Sequence, residues 1–149
     1  VGRRIEIRTA VTVDRPPEQV FDYLVDVRKH AEWSPKPYRV EGVDGPLTAG
    51  STFKSWGWIP GDKEHANDVE VTAVERPTRF SFAAKEKGEQ FVNTFTLTPA
   101  GTGTKVERLI DMPRPGGLLG AVFPLVANGF VKPAVGKGLK MFKARAEAQ

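Results

Sequence analysis

After Met112 the chain changes character. Pro113 Arg114 Pro115 Gly116 Gly117 leads into a long candidate helix, whereas the residues before it read mainly as strands. A meander of strands closed by one long helix constrains the fold strongly. Such a sheet has one apolar face, and that helix is the one large element left to cover it. A curved sheet holding a single helix leaves a hollow between the two, and hollows of that kind take apolar small molecules. The order of elements therefore predicts a binding cavity without naming its occupant.

Arg4, Glu6 and Arg8 alternate with Ile5, Ile7 and Thr9, and the alternation continues to Val11 and Val13, the period of a strand with one wet face. Asp14 Arg15 Pro16 Pro17 Glu18 then supplies an N-cap candidate and prolines suited to a first turn, and Val20, Phe21, Leu24 and Val25 follow at helical spacing. Asp26 to Trp33 predicts a second short helix, stopped by Ser34 Pro35 Lys36 Pro37, since a residue before proline is pushed out of the α region. From Tyr38 onward, turn residues mark off strands over 38 to 43, 51 to 59, 64 to 75, 78 to 86, 89 to 98 and 104 to 112. Their regular spacing favours antiparallel pairing. A chain of 149 residues with no internal repeat is read as one domain, 1–149, large enough to bury a core without staples.

The chain has no cysteine, which excludes disulfides, thiolate metal sites and cysteine nucleophiles and fits a reducing compartment, so the cytoplasm is the default location. The first residues lack the apolar run of a signal peptide, although a chain that does not begin with Met leaves a removed leader or tag open. The net charge of +4 is dispersed through most of the chain, so nucleic acid is not an expected partner. Lys132, Lys137, Lys140, Lys143 and Arg145 are the local exception and read as a solvated helix face. His30 and His65 offer no metal-ligand spacing, and no metal or cofactor is expected. Gly101 Thr102 Gly103 precedes a strand and reads as a hairpin, not a phosphate cradle, and no serine sits in a Gly-x-Ser-x-Gly context.

The element order is matched by local wording: the Ile7 to Val13 strand, Pro17 Glu18 Gln19 Val20 Phe21 Asp22 Tyr23 Leu24, Asp26 followed by Glu32 Trp33 Ser34 Pro35, Gly50, Val74 Glu75 Arg76 Pro77, and Gly103 Thr104 Lys105 Val106. In this the chain resembles, over nearly its whole length, the START-like superfamily, also called SRPBCC, in its polyketide cyclase/dehydrase branch. The resemblance implies an α+β helix-grip fold. A curved seven-stranded antiparallel sheet wraps a long C-terminal helix, two short helices follow the first strand, and an apolar cavity lies between sheet and helix. It implies little about chemistry. Members include lipid carriers, hormone receptors, aromatase/cyclases, coenzyme Q-binding proteins and stress-response activators, and one fold hosting many functions transfers no single one.

Strand parity predicts the concave face. Ile5, Ile7, Val11 and Val13 point inward because the charges alternate with them. Phe53, Ser55, Gly57 and Ile59 form the next set, which leaves Trp56 and Trp58 outward, either as a partner surface or turned in by a bulge near Gly57. Extending the phase places His65 and Asn67 inside with Val69, Val71 and Ala73, then Phe80, Phe82 and Ala84, then Phe91, Asn93, Phe95 and Leu97. In the last strand, Val106 and Ile110 inside would carry Arg108 with them. The expected lining is thus aromatic with four polar intruders, His65, Asn67, Asn93 and Arg108. Two readings stand for these: they orient a ligand's hydroxyl, carbonyl or carboxylate, or strand ends and ion pairing satisfy them. Trp33 reads as a plug where the short helices meet the sheet, with cavity lining as the alternative, and His30, among Arg28, Lys29 and Glu32, reads as a surface residue.

From Pro115 to Val131 there is no charge, and Leu118, Leu119, Val122, Phe123, Leu125, Val126, Phe130 and Val131 cover most of a helical wheel. The run is short for a membrane span and holds Pro124. One side can face the sheet, with Phe130 counted toward the lining. The rest is a lid or a homodimer contact first, and a peripheral membrane contact second. Pro133 is expected to kink the helix, and Val135, Leu139, Met141 and Phe142 to pack on the sheet. The function expected is binding of an apolar or amphipathic, lipid- or polyketide-like small molecule. The alternatives are a cyclase or dehydratase using His65 and Arg108 as catalytic candidates, and a membrane-associated lipid carrier.

Overall fold

The protein is described by a computed structural model covering residues 4–34, 37–56, 66–86 and 88–149. Strand β1 (Arg4–Val13) keeps Arg4, Glu6 and Arg8 exposed and buries Ile7 and Val13. Helix α1 (Pro17–Val25) starts on its prolines, which the donor-free first turn accommodates, and buries Val20, Phe21, Tyr23 and Leu24. The second short helix is a 3-10 stretch, Val27–Glu32. Its three-residue period stacks Val27, His30 and Trp33 on one side, and all three are buried. His30 is therefore not a surface residue. The tighter winding turns Arg28, Lys29 and Glu32 outward and His30 into the core.

Strands β2 (Arg39–Glu41), β3 (Thr52–Trp56), β4 (Asn67–Glu75), β5 (Arg79–Glu86), β6 (Glu89–Ala100) and β7 (Gly103–Pro113) join β1 in one antiparallel seven-stranded sheet. The order is β1-β7-β6-β5-β4-β3-β2, so each strand from β2 onward lies beside its sequence neighbour and β1 crosses to pair with β7. Positions 57–65, which hold Trp58 and His65, lie outside the described residues. Register aligns inner side chains in rows across the sheet. One row is Ile7, Ile110, Asn93, Phe82 and Val71; another is Phe91, Ala84, Val69 and Phe53, and Ile5 pairs with Met112. An irregularity between Val71 and Ala73 re-phases β4 so that Val74, not Ala73, meets Phe80. At the β6–β7 hairpin only glycine fits at position 103, since a Cβ there would stand 2.3 Å from the Val13 carbonyl oxygen.

The C-terminal helix runs as α2 (Gly117–Val126), a π segment (Ala127–Val131) and α3 (Lys132–Glu147). Pro133 does not kink it, because it falls in the first turn of α3; the departure from α geometry lies between Pro124 and Pro133. Leu139, Phe142 and Ala146 of α3 enter the main core, where the Phe142 ring lies 5.3 Å from Trp33 and 5.5 Å from Tyr23. The Lys143 ammonium donates to the Thr12 carbonyl at 2.8 Å, and Glu147 accepts from the Asp14 N–H at 2.7 Å, fixing α3 to the end of β1. A second cluster, Ile7, Ile110 and Ala127 with Phe123, Val131 and Val135 against it, seats α2 and the π segment on the other end of the sheet. This is a helix-grip fold.

Candidate ligand-binding site

Alternation along β7 carries Arg108 inward between Val106 and Ile110, and it is 9% exposed. Its Nε and Nη2 both donate to the Asn93 Oδ1, at 3.0 and 2.8 Å. The guanidinium lies 5.1 Å from the Phe95 ring centre and 6.0 Å from that of Trp33. Among the described residues no carboxylate is in ion-pair contact with it. Burial pulls its pKa down to about 10, so it remains a cation at neutral pH. A buried charge without a counter-ion is destabilising by several kcal/mol, roughly, even after hydrogen bonding. Arg108 is therefore an unbalanced positive centre in an aromatic interior.

Two titratable groups flank it. His30 is pushed down to about 4, chiefly by burial and further by the Arg108 charge, and its neutral ring donates from Nε2 to the Leu24 carbonyl at 2.7 Å. Its ring stands 4.7 Å from Trp33 and 6.2 Å from Tyr38. Burial pushes the Tyr38 phenol up to about 12, against the Ser55 hydroxyl and the Arg108 charge, which both favour the phenolate.

Among the described residues, several buried polar atoms have no hydrogen-bond partner: Thr9 Oγ1, Trp33 Nε1, and both Oδ1 and Nδ2 of Asn67. Thr9 is directly opposite Arg108 in register, and Asn67 is opposite Ser55. A run of polar groups thus crosses the concave face from Asn67 through Ser55 and Tyr38 to Arg108 and Asn93. Orphaned buried donors and acceptors are costly, about 1–3 kcal/mol each. Ile5, Phe82, Phe91 and Met112 point to this face yet are only half-buried, which marks where it is uncovered. Two surface clefts, of about 350 and 400 Å³, lie elsewhere, one against α1 and Leu47, the other along β3 to β5, and neither is lined by Arg108, Asn93 or Asn67.

The expected lining residues divide as follows. Phe53, Ser55, Asn67, Phe80, Asn93, Phe95 and Arg108 are buried, and the Phe80, Phe82 and Phe95 rings stand 5.6 to 6.4 Å apart. Trp33 is packed edge-on to Phe95 and Phe142, as a plug between the short helices and the sheet would be, and its ring also stands beside Arg108. Ile110 sits under the π segment in the smaller cluster. Phe130 is not a lining residue: it is 75% exposed, because the π segment buries Ala127 and turns Phe130 outward. Trp56 points outward, and the Arg39 guanidinium lies 3.9 Å from its ring centre, an ordinary cation–π cover for an outward tryptophan. With His65 outside the described residues, its pairing with Arg108 has no geometry to stand on.

Thr9, His30 and Tyr38 were missed from sequence. Thr9 shares the parity of Ile7 and Val11, so the strand pattern could have found it; His30 needed a period of three instead of 3.6. Among the described residues no three His, Cys, Asp or Glu side chains gather where a metal could sit.

A family model described as polyketide cyclase / dehydrase and lipid transport matches residues 4–147. Among solved structures the chain is similar to TTHA0849 from Thermus thermophilus, with 19% identity and a TM-score of 0.76 over 97% of this chain and 98% of that one. It is similar to Ara h 8.0201, with 15% identity and a TM-score of 0.72 over 99% and 100%. It is also similar to part of DynU16, from the dynemicin biosynthetic locus, with 22% identity and a TM-score of 0.60 over 91% of this chain and 46% of that one. At these identities the solved structures speak for the fold alone. A comparison with curated proteins finds no match.

Proposed function

The chain belongs to the polyketide cyclase/dehydrase and lipid transport family, in the START-like (SRPBCC) superfamily, and from that premise we propose that it binds an amphipathic small molecule, lipid- or polyketide-like, between the sheet and the C-terminal helix. The ligand's apolar body lies on the half-buried Phe82 and Phe91, and an oxygen-bearing anionic group meets Arg108. What carries this reading is the buried guanidinium whose hydrogen-bonding partner is a neutral amide, with orphaned polar atoms on Thr9 and Trp33 beside it. A carboxylate, enolate or phenolate supplies the missing negative charge and accepts from these donors, as orienting polar groups do in largely apolar pockets.

The test compares 2-naphthoate with 2-naphthol by intrinsic tryptophan fluorescence, on the parent chain and on Arg108→Met. The expected result is at least tenfold tighter binding of the carboxylate to the parent, with that preference gone in the variant. Equal affinities in the parent, or a preference that survives Arg108→Met, would remove Arg108 from the site.

A further inference from the structure

The outward side of α2 is apolar and uncovered: Leu118 is 90% exposed, Leu119 60%, Val122 48% and Leu125 75%, and Phe130 follows at 75%. Residues 118, 119, 122 and 125 fall on one helical face by their spacing. On the opposite side, Phe123 and Ala127 meet Ile7 and Ile110 of the sheet, and Gly120 is buried against the Pro115 backbone. The outward stripe is therefore no lid over the interior. From Pro113 to Ala146 there is no acidic residue, while Arg114, Lys132, Lys137, Lys140, Lys143 and Arg145 are all basic, which leaves the remainder of the chain net negative. Lys132, Lys137 and Lys140 are exposed, and among the described residues none is in ion-pair contact with a carboxylate.

We propose that this face docks on an anionic phospholipid bilayer, with Leu118, Leu119, Leu125 and Phe130 entering the headgroup–acyl boundary and the lysines of α3 against the lipid charge. An uncharged apolar stripe continued by a purely basic stretch is the composition of an interfacial helix. Two other occupants fit less well. A second copy meeting this face would cover the apolar stripe of α2 but would account for nothing of the basic stretch that continues it. A transmembrane course, which the length and composition of Gly117–Glu147 would permit, would strip Leu139, Phe142 and Ala146 from the core they share with α1 and the sheet. The helix lies on the membrane, not across it. This docking is independent of what the interior holds.

The experiment is co-sedimentation of the full chain with vesicles of POPC:POPG (7:3) and of POPC alone, in 50 mM and 500 mM salt. Binding is expected on the anionic vesicles, at least tenfold above POPC, and lost at high salt. Leu119→Asp with Leu125→Asp, at positions already in solvent, should abolish it. Lys132→Ala and Lys137→Ala should each weaken it roughly fivefold. No preference for anionic vesicles, or unchanged binding by the double aspartate variant with native circular dichroism, would overturn the proposal. So would a dimer by light scattering that the aspartates convert to monomer, since the face would then belong to a second copy.

Discussion

Replacing Asn93 by leucine probes the unbalanced charge at the centre of the fold. Asn93 Oδ1 accepts both hydrogen bonds of the Arg108 guanidinium, at 3.0 and 2.8 Å, and among the described residues no other acceptor is bonded to that group. Hydrogen bonds to charged groups contribute about 1.5–3 kcal/mol each, and removing the partner of a buried charge costs about 3–5 kcal/mol in all. Deprotonation offers little relief. With a pKa of about 10, discharging Arg108 at pH 7 costs about 4 kcal/mol at 1.36 kcal/mol per unit. Asn93→Leu is therefore expected to lose about 3–4 kcal/mol in urea denaturation at pH 7, read from the midpoint at unchanged slope. Arg108→Met combined with Asn93→Leu removes charge and acceptor together, and such exchanges are neutral or stabilising by about 1–4 kcal/mol. A loss under about 1 kcal/mol for the single variant would mean that Arg108 finds another partner or water. A loss above about 3 kcal/mol for the double variant would mean the pair serves the architecture and is not kept for a ligand.

Three further outcomes follow from the same geometry. His30, with its pKa lowered to about 4, stays neutral in the folded chain while the unfolded chain takes up its proton near 6.5. Stability is then full above pH 6.5 and falls as pH drops toward 4, by about 2 kcal/mol between pH 7 and pH 5. Urea curves at the two pH values should show this loss, and a His30→Gln variant that kept it would exclude His30 as its source. Phe142→Ala, at a fully buried site touching Trp33 and Tyr23, should cost about 3–5 kcal/mol by the same assay, and a cost below about 2 would show that α3 is gripped elsewhere. Gly103→Ala puts a methyl 2.3 Å from the Val13 carbonyl oxygen and should cost about 1–3 kcal/mol, with shifted amide resonances confined to the start of β7 and the end of β1; unchanged stability and resonances would mean that the two backbones part freely.

Much of the fold is legible in the sequence because its strongest signals are local. Alternation in β1 and β3 assigns inner and outer faces correctly, and the turn residues place six further strands. Arg108 was reachable by parity alone, since Val106 and Ile110 cannot go inside without it. What sequence did not give came from two sources. One is winding: a 3-10 stretch and a π segment each shift side chains off the α-helical wheel, which buries His30 and exposes Phe130. The other is contact across the sheet's curvature. Nothing in the local wording brings Tyr38, at the β2 edge, under the influence of Arg108 on β7, because only the curl of the whole sheet does so. The charge asymmetry of the C-terminal stretch was visible as composition, but its meaning depended on which side of α2 the core left uncovered.

Native mass spectrometry of freshly purified protein, with organic extraction of whatever dissociates on denaturation, tests the binding of an amphipathic ligand most directly. A stoichiometric adduct that carries an ionisable oxygen on an apolar body, and that is absent from the Arg108→Met and Asn93→Leu double variant, is the expected result. An adduct retained by that variant, or a clean unliganded mass that persists after titration with 2-naphthoate, would contradict it.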